Sequence, residues 1–160
     1  MNTWLAIELL LLLLIANGTP ALTGLLCHRR WNAPLDGGHV CRDGQRLLGA
    51  TKTVRGLLAS LLTTSLAAGL LGFGWLYGVL FGSLAMLGDT ASSYTKRRLG
   101  YPSSCAQPGL DQLPESLLPL LALMPLTDAG VVEIVVAATA FFILDLLLSA
   151  LFVPDQARCR

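Results

Sequence analysis

The sequence predicts an all-α integral membrane protein with about five transmembrane helices and two cytoplasmic polar loops. Of its 160 residues, 54% are hydrophobic and only 13% are charged, about half the charged share of a soluble domain. No charged residue occurs from Gly56 to Gly88, whereas a surface helix of a soluble protein carries a polar face. The composition therefore excludes a water-soluble globular enzyme, a disordered tail and a basic nucleic-acid-binding domain.

The first predicted span covers residues 4–26. The stretch from Met1 to Trp4 lacks the basic residues of a secretory signal, and Glu8 interrupts the apolar run. We therefore interpret this segment as a retained helix rather than a cleaved leader. The tetrapeptide from Asn17 to Pro20 is expected to break or kink the helix, because proline cannot donate a backbone hydrogen bond.

The charge-free stretch predicts the second and third spans, at residues 56–72 and 74–91. Its 33 residues would form a single helix about 50 Å long, which is too long for a hydrocarbon core of about 30 Å. Basic residues flank both ends, and this favours two crossings. Gly74, Gly78 and Gly82 repeat every fourth residue, so the third span is expected to pack closely against a neighbour.

The fourth and fifth spans are predicted at residues 114–127 and 131–153. The fourth is short and contains Pro119 and Pro125, so a kinked or re-entrant segment is the alternative to a full crossing. Either arrangement makes residues 1–160 a single membrane domain.

The distribution of basic residues predicts the orientation of this multi-pass protein. With five spans, all eleven Lys and Arg residues fall in residues 27–55, in residues 92–113 or in the C-terminal tail. The positive-inside rule assigns these segments to the cytoplasm. The N-terminus is therefore expected outside the cell membrane and the C-terminus in the cytoplasm.

The first candidate site precedes the second span. Lys52, Thr53 and Arg55 stand immediately before a membrane helix. The N-terminus of a helix offers free backbone N–H groups and positive potential, which suit a phosphate. Ordinary positive-inside anchoring accounts for the same residues equally well, so both interpretations are kept at this point.

The second candidate site follows the third span. If the helix continues, Asp89, Ser93, Lys96 and Arg97 lie at positions i, i+4, i+7 and i+8 and share one face. A carboxylate at the end of an apolar helix is costly unless it binds something. Mg²⁺ is a natural candidate, because it takes oxygen ligands and shares them with phosphates.

Five further acidic or amide residues belong to the predicted spans or their ends. Asp111 and Glu115 open the fourth segment, and with the neighbouring lysines and arginines they suit metal-assisted phosphoryl or nucleotidyl transfer. Asp145 lies about fourteen residues into the last span, where an ionisable group is usually functional. Asp145 has two possible roles. One is a structural or site-lining role, for example in a pair with Asn17, and the other is a proton relay. Glu133 is expected to be solvated.

Several short motifs follow one another along the chain: Asn17-x-x-Pro20, Pro34-x-Asp36-x-Gly38, Asp43-Gly44, Gly49-x-x-Lys52-Thr53-x-Arg55-Gly56, Gly88-Asp89, Ser93-x-x-Lys96-Arg97-Arg98-Leu99-Gly100 and Leu110-Asp111-Gln112. In this order they resemble the CDP-archaeol synthase family, membrane cytidylyltransferases that use CTP and are related to bacterial CDP-diacylglycerol synthase. The resemblance runs from the first span to the fourth. It implies a five-helix membrane enzyme with cytoplasmic loops over the active site.

The resemblance, together with the shared helix face, implies roles for individual residues. Asp89 and Asp111 are expected to be catalytic and to bind Mg²⁺, with Lys96 as a catalytic cation. Contacts to the nucleotide or its phosphates are expected from Asp36, Asp43, Lys52, Thr53, Arg55, Ser93 and Arg97, and a polar lining from Asn17 and Glu115. The family pattern continues after Asp111 to a further Asp where this chain has Pro114, and Glu115 is the adjacent candidate to replace it.

The implied reaction transfers CMP from CTP to a lipid phosphate and leaves a CDP-activated lipid and pyrophosphate. Mg²⁺ is the expected cofactor, and CTP, an archaeol-type or other glycerol phosphate lipid and the membrane are the expected partners, without nucleic acid. A CDP-diacylglycerol synthase-like enzyme acting on phosphatidic acid is one alternative. A non-enzymatic small transporter or lipid-binding protein is another, and a homodimer is equally open at this point.

Overall fold

The regular structure of the chain is helical. The computed structural model describes residues 2–27, 32–42, 44–102 and 107–152, and their only pairings of extended backbone are two isolated β-bridges. The helices are α1 (Thr3–Cys27), α2 (Val54–Leu70), α3 (Trp75–Arg98), α4 (Gln112–Ala122), a short 3₁₀ turn (Met124–Leu126) and α5 (Val131–Phe152). The predicted all-α class is confirmed for the described part of the chain.

Two of these helices are long and apolar enough to cross a bilayer. They are α1 and, within α5, the stretch Val131–Ser149. Helix α2 has 17 residues and α4 only 11; at 1.5 Å per residue α4 is about 17 Å long and cannot span the hydrocarbon by itself. The short fourth segment therefore agrees with the re-entrant alternative, and five full crossings remain a prediction.

Helix α1 runs without a break through the Asn17 to Pro20 segment, so the predicted break was wrong, and the alternative of a kink stays a prediction. Pro20 has no N–H to donate to the carbonyl of Ala16, four residues earlier. Ser60 of α2 donates its hydroxyl to that Ala16 oxygen at 2.7 Å. Because a neighbouring helix satisfies the freed carbonyl, α1 keeps its course.

Helices α2 and α3 form a tight hairpin, as the charge-free stretch predicted. The turn contains Gly72 and Gly74, both with positive φ. At Gly78 an added Cβ would lie 2.5 Å from the Cα of Ser65 and from the carbonyl oxygen of Thr64. The glycine repeat therefore does allow close helix packing. Helix α3 then extends to Arg98, seven residues beyond the predicted end of the span.

The core lies where α1 meets the other helices. Leu9, Leu12 and Leu13 of α1 are buried against Phe81 of α3 and Phe141 of α5. Large apolar side chains on the outer faces of the helices are exposed, as expected for surfaces that face lipid. The polar residues that α3, α4 and the first loop contribute gather at one end of this bundle.

Glu133 is buried rather than solvated. Its two carboxylate oxygens accept hydrogen bonds from the backbone N–H of Asn2 at 2.7 Å and of Gly130 at 3.1 Å. It thereby ties the start of α1 to the start of α5. This link lies at the opposite ends of α1 and α5 from the polar residues described next.

Candidate functional site

Asp36 organises the loop that precedes α2. Its side chain is fully buried and accepts hydrogen bonds from the backbone N–H groups of Gly38, Leu48 and Gly49 at 3.0–3.3 Å, and from the Arg46 guanidinium at 3.0 Å. Burial alone would raise the pKa of Asp36. The three N–H donors and the arginine outweigh that effect, so the pKa lies below its ordinary value.

The end of this loop is fixed against its beginning and becomes the N-cap of α2. Leu35 donates its N–H to the carbonyl of Lys52 at 2.8 Å. Thr53 is the N-cap residue, and its hydroxyl accepts a hydrogen bond from the Gly56 N–H at 3.2 Å. Lys52, Thr53 and Arg55 are therefore held at a helix N-terminus, where backbone N–H groups favour anions.

Lys52 reaches across to α3. Its Nζ lies 2.5 Å from both carboxylate oxygens of Asp89, 37 residues further along the chain. Each side chain of this pair retains about a fifth of its surface exposed, 21% for Lys52 and 19% for Asp89. The structure thus joins the two segments that the sequence analysis treated as separate candidate sites.

A second lysine–aspartate pair lies at the C-terminal end of α3. Lys96 Nζ is 2.7 Å from Asp111 Oδ1, and Asp111 Oδ2 accepts the N–H of Gln107 at 3.1 Å. Ser93, Lys96 and Arg97 are all buried, so the continuation of α3 does turn one polar face inward, as predicted.

Glu115 of α4 connects the two pairs. It is buried, with 7% of its surface exposed. It interacts electrostatically with Lys52 and with Asp89, Asp111 and Asp145. The close approach of Gly88 to the backbone of Pro114 and Glu115 brings α4 to this position. Glu115 therefore lies near acidic residues of α3, of α5 and of the loop that leads into α4.

Two concave spaces meet at Lys52 and Asp89. The polar cavity, of about 560 Å³, has among its lining residues Asn17 of α1, Arg55 and Glu115. The apolar groove, of about 350 Å³, lies between α2 and α3 and is lined mainly by aliphatic side chains: Leu35, Leu57, Leu61, Met86 and Leu87. The two spaces share the edge formed by Pro20, Thr51, Lys52, Thr53 and Asp89.

The comparisons with known proteins agree with this arrangement. A family model described as CarS-like, CDP-archaeol synthase, matches residues 5–153. The chain belongs to the CDP-archaeol synthase family. A CDP-archaeol synthase of Aeropyrum pernix is 43% identical over 114 residues, which are 68% of this chain and 62% of that protein. One of Thermococcus gammatolerans is 37% identical over 111 residues, covering 61% of this chain and 60% of that protein.

A solved structure matches almost the whole chain. It is described as an intramembrane enzyme for archaeal membrane lipids biosynthesis, is 36% identical, and superposes with a TM-score of 0.77 over 91% of this chain and 92% of the other. The chain spans about 60% of the length of the curated relatives named above. The predicted family resemblance is confirmed.

Six of the residues predicted from sequence border the polar cavity of this family member: Asn17, Lys52, Thr53, Arg55, Asp89 and Glu115. Asp36 does not border either space and instead holds the first loop together. Arg97 donates to the carbonyl of Pro102 at 2.5 Å. Asp43 lies outside the described residues. Ser93, Lys96 and Asp111 line neither of the two spaces.

Asn17 is not the partner of Asp145. Its Nδ2 donates to the Leu13 carbonyl at 3.0 Å, whereas Asp145 accepts from Gln112 Nε2 at 2.7 Å. The sequence analysis assigned no role to Gln112, although it follows Asp111 directly in one of the family motifs. It also missed Thr51 and Asn32, which line the polar cavity; nothing in their sequence context distinguished them from ordinary loop residues.

The donor groups present are compatible with Mg²⁺. Within the described ranges, no three His, Cys, Asp or Glu side chains are grouped closely enough to hold a metal ion on their own. Mg²⁺ is usually held by one or two carboxylates together with substrate phosphates, so a site of this kind does not need a complete protein cage. Asp89 and Asp111 carry the carboxylate oxygens that such a site would use, and each is paired with a lysine in this structure.

Proposed function

We propose that this protein is a Mg²⁺-dependent cytidylyltransferase that transfers CMP from CTP to an archaeol-type glycerol phosphate lipid, giving a CDP-activated lipid and pyrophosphate. The observation that carries the proposal is the shared edge between a polar cavity and an apolar groove, with Lys52 and Asp89 on it. One space suits a nucleotide and the other a lipid chain, and both would bring their phosphates to the same edge.

The polar cavity supports binding of the nucleotide. Lys52 and Arg55 line it and supply positive charge at the N-terminus of α2, where phosphates bind well. The Oδ1 of Asn17 is buried without a hydrogen-bond partner in the described part of the chain. A bound nucleotide would satisfy this acceptor through a base amino group or a ribose hydroxyl, because an unpaired buried acceptor is costly.

The apolar groove supports binding of the lipid phosphate. Its aliphatic walls between α2 and α3 match a hydrocarbon chain, and its polar edge at Thr53 and Asp89 lies where the head group would sit. The phosphate and the hydrocarbon chain would thus be recognised by different residues. The described lining of the groove has no feature that selects the type of linkage between the chain and the glycerol. An acyl lipid such as phosphatidic acid is therefore the competing substrate class.

The reaction needs positioning more than proton transfer. A lipid phosphate oxygen attacks the α-phosphorus of CTP, a new P–O bond forms, and the bond from the α-phosphorus to the bridging oxygen breaks to release pyrophosphate. The nucleophile is already an anion, so no general base is required. Lys52 and Arg55 orient the two phosphates and neutralise their repulsion. Asp89 and Asp111 would hold Mg²⁺, which supplies further charge neutralisation when bound.

The proposed orientation places this chemistry on the cytoplasmic face, where CTP is available. All eleven basic residues would then lie on that face, with the N-terminus outside and the C-terminus in the cytoplasm. Cysteine-accessibility labelling in intact cells tests this: an introduced cysteine in the loop around Gln45 should be protected, and one at Asn2 should react.

The decisive experiment uses the purified full chain with radiolabelled CTP, Mg²⁺ and two lipids in parallel, an archaeol-type glycerol phosphate and phosphatidic acid. We expect labelled CDP-lipid from the first. Asp89→Asn should lower the rate by at least about 10²-fold, since it removes a carboxylate that would hold Mg²⁺ at the reacting phosphates, while Asp128→Asn, an exposed loop acid, should not. If neither lipid gives product, the proposed enzymatic activity is refuted. If only phosphatidic acid gives product, the substrate is an acyl lipid and not an archaeol-type lipid.

A further inference from the structure

Asp145 is joined to the start of α4 by one fully buried amide. Gln112, the first residue of α4, is 3% exposed. Its Nε2 donates to Asp145 Oδ2 at 2.7 Å, and its Oε1 accepts the N–H of Gly109, also at 2.7 Å. The Gln112 side chain thus spans from the last membrane helix to the loop that leads into α4.

The chemistry of the neighbours fixes which way this amide faces. The Gly109 N–H can only donate, so the carbonyl oxygen of Gln112 must face it. The amide nitrogen then faces α5, where the carboxylate of Asp145 accepts its proton. Charged acceptors make stronger hydrogen bonds than neutral ones. Asp145 therefore holds Gln112 in the one orientation that also binds the loop.

The loop held in this way carries Asp111. Gly109, with φ of 88°, accepts the Leu113 N–H through its carbonyl at 3.1 Å. Within the same turn, Gln107 donates its N–H to Asp111 Oδ2. The carboxylate of Asp111 is directed at Lys96 by these contacts. A shift of the turn would displace Asp111 and leave the polar cavity itself in place.

We propose that Asp145 is a positioning residue: through Gln112 and Gly109 it sets the place of the Asp111 carboxylate. As a role in catalysis this rests on the proposed cytidylyltransferase activity. It also explains why an acidic side chain is kept in an apolar helix, where such a group is costly. In this role Asp145 acts as the acceptor of one amide hydrogen bond and transfers no proton.

The first test replaces the acceptor. Asp145→Leu should lower kcat for CDP-lipid formation roughly 10- to 100-fold, the usual effect of a misplaced catalytic group. The KM values for CTP and for the lipid phosphate should change less than about threefold, because the residues lining both spaces are untouched. Asp145→Asn keeps an acceptor oxygen and should recover most of the rate. Thr139→Val, a polar-to-apolar change on an exposed face of the same helix, is the matched control.

The second test reverses the hydrogen bond. Gln112→Glu alone sets two acceptors against each other and should lower kcat as Asp145→Leu does. Combined with Asp145→Asn, it restores one donor and one acceptor and should regain activity. Recovery in the double variant is a non-additive result that independent sites do not give. If the two single effects simply add, or if KM rises in place of the kcat loss, the proposal is wrong.

Amide hydrogen exchange gives a readout that needs no activity. Exchange at residues 107–113 should become faster in Asp145→Leu and stay at the wild-type rate in Asp145→Asn, with no change at the N-terminus of α2. If the wild type makes no CDP-lipid, the proposed function fails, but this measurement still decides whether Asp145 holds the turn. Equal exchange in all variants would overturn the positioning role. Should Asp145→Leu not fold, the Gln112→Glu pair supplies the same comparison.

Discussion

Gly88 offers a direct test of how closely α3 and α4 must approach. An added Cβ there would lie 2.3 Å from the Pro114 carbonyl oxygen, 2.5 Å from its carbon and 2.7 Å from the Cα of Glu115. Ordinary contacts begin at 3.4 Å, so Gly88→Ala requires the helices to separate by about 1.1 Å, the difference between 3.4 and 2.3 Å. The atoms met are backbone, and no rotamer change relieves the clash.

This displacement should change both the free energy of unfolding and the rate of the reaction. Overpacking of a tight contact costs about 1–3 kcal/mol, and the better helix propensity of alanine returns about 1 kcal/mol, so the free energy of unfolding should fall by up to about 2 kcal/mol. Asp89 and Glu115 are the immediate neighbours of the two backbones that separate. A shift of about 1 Å at such groups lowers the rate by about 10²-fold.

The assay measures both quantities on the full chain in detergent: reversible unfolding followed by circular dichroism, and CDP-lipid formation from labelled CTP. Gly18→Ala is the matched control, because Gly18 lies in α1 with nothing within 4 Å of its added Cβ, and this variant should be as stable as the wild type or slightly more so. If Gly88→Ala matched the wild type in both measurements, α3 and α4 would not be in contact as described.

Three further predictions concern the scaffold around the site. Ser60→Ala removes the donor to the Ala16 carbonyl and should lower unfolding stability by about 1–3 kcal/mol, measured by thermal unfolding against Ser83→Ala. Thr53→Ala removes the cap of α2 and should cost about 1 kcal/mol in the same assay, where Thr53→Ser should cost little. Because the pKa of Asp36 is lowered on folding, the stability that Asp36 contributes is complete at neutral pH and is lost as the pH falls through that lowered pKa. Asp36→Asn should therefore flatten the loss of unfolding stability at acid pH. An unchanged pH profile in this variant would refute the prediction.

The helices were predictable because their signals are local. The absence of charge from Gly56 to Gly88, together with basic residues at both ends, required a turn, and two glycines with positive φ provide it. The outcome at Pro20 was not predictable, because the donor that repairs the helix is Ser60, 40 residues away, and nothing near either residue links them. A proline breaks a helix only where its freed carbonyl finds no other partner.

The candidate site was predictable as a set of charges but not as a set of partners. Lys52 and Asp89 were predicted as site residues because each is a charged residue at the end of an apolar stretch. Their mutual contact depends on how α2 and α3 pack, which spacing along the chain does not encode. The same holds for Gln112, which nothing in the sequence distinguishes from other amides. Its hydrogen bond depends on α5 bringing Asp145 next to it.

The two lysine–aspartate pairs suggest how the site receives an anionic substrate. In each pair the charges neutralise one another, so the protein does not bear the full cost of unpaired charges at the end of an apolar bundle. The pair of Lys52 and Asp89 remains about a fifth exposed and lines the polar cavity. In the proposed function a triphosphate would compete for Lys52 and a divalent cation for Asp89. A fully buried pair would resist both, so under the proposed function the placement of Lys52 and Asp89 at the edge of the cavity matters more than the number of charges.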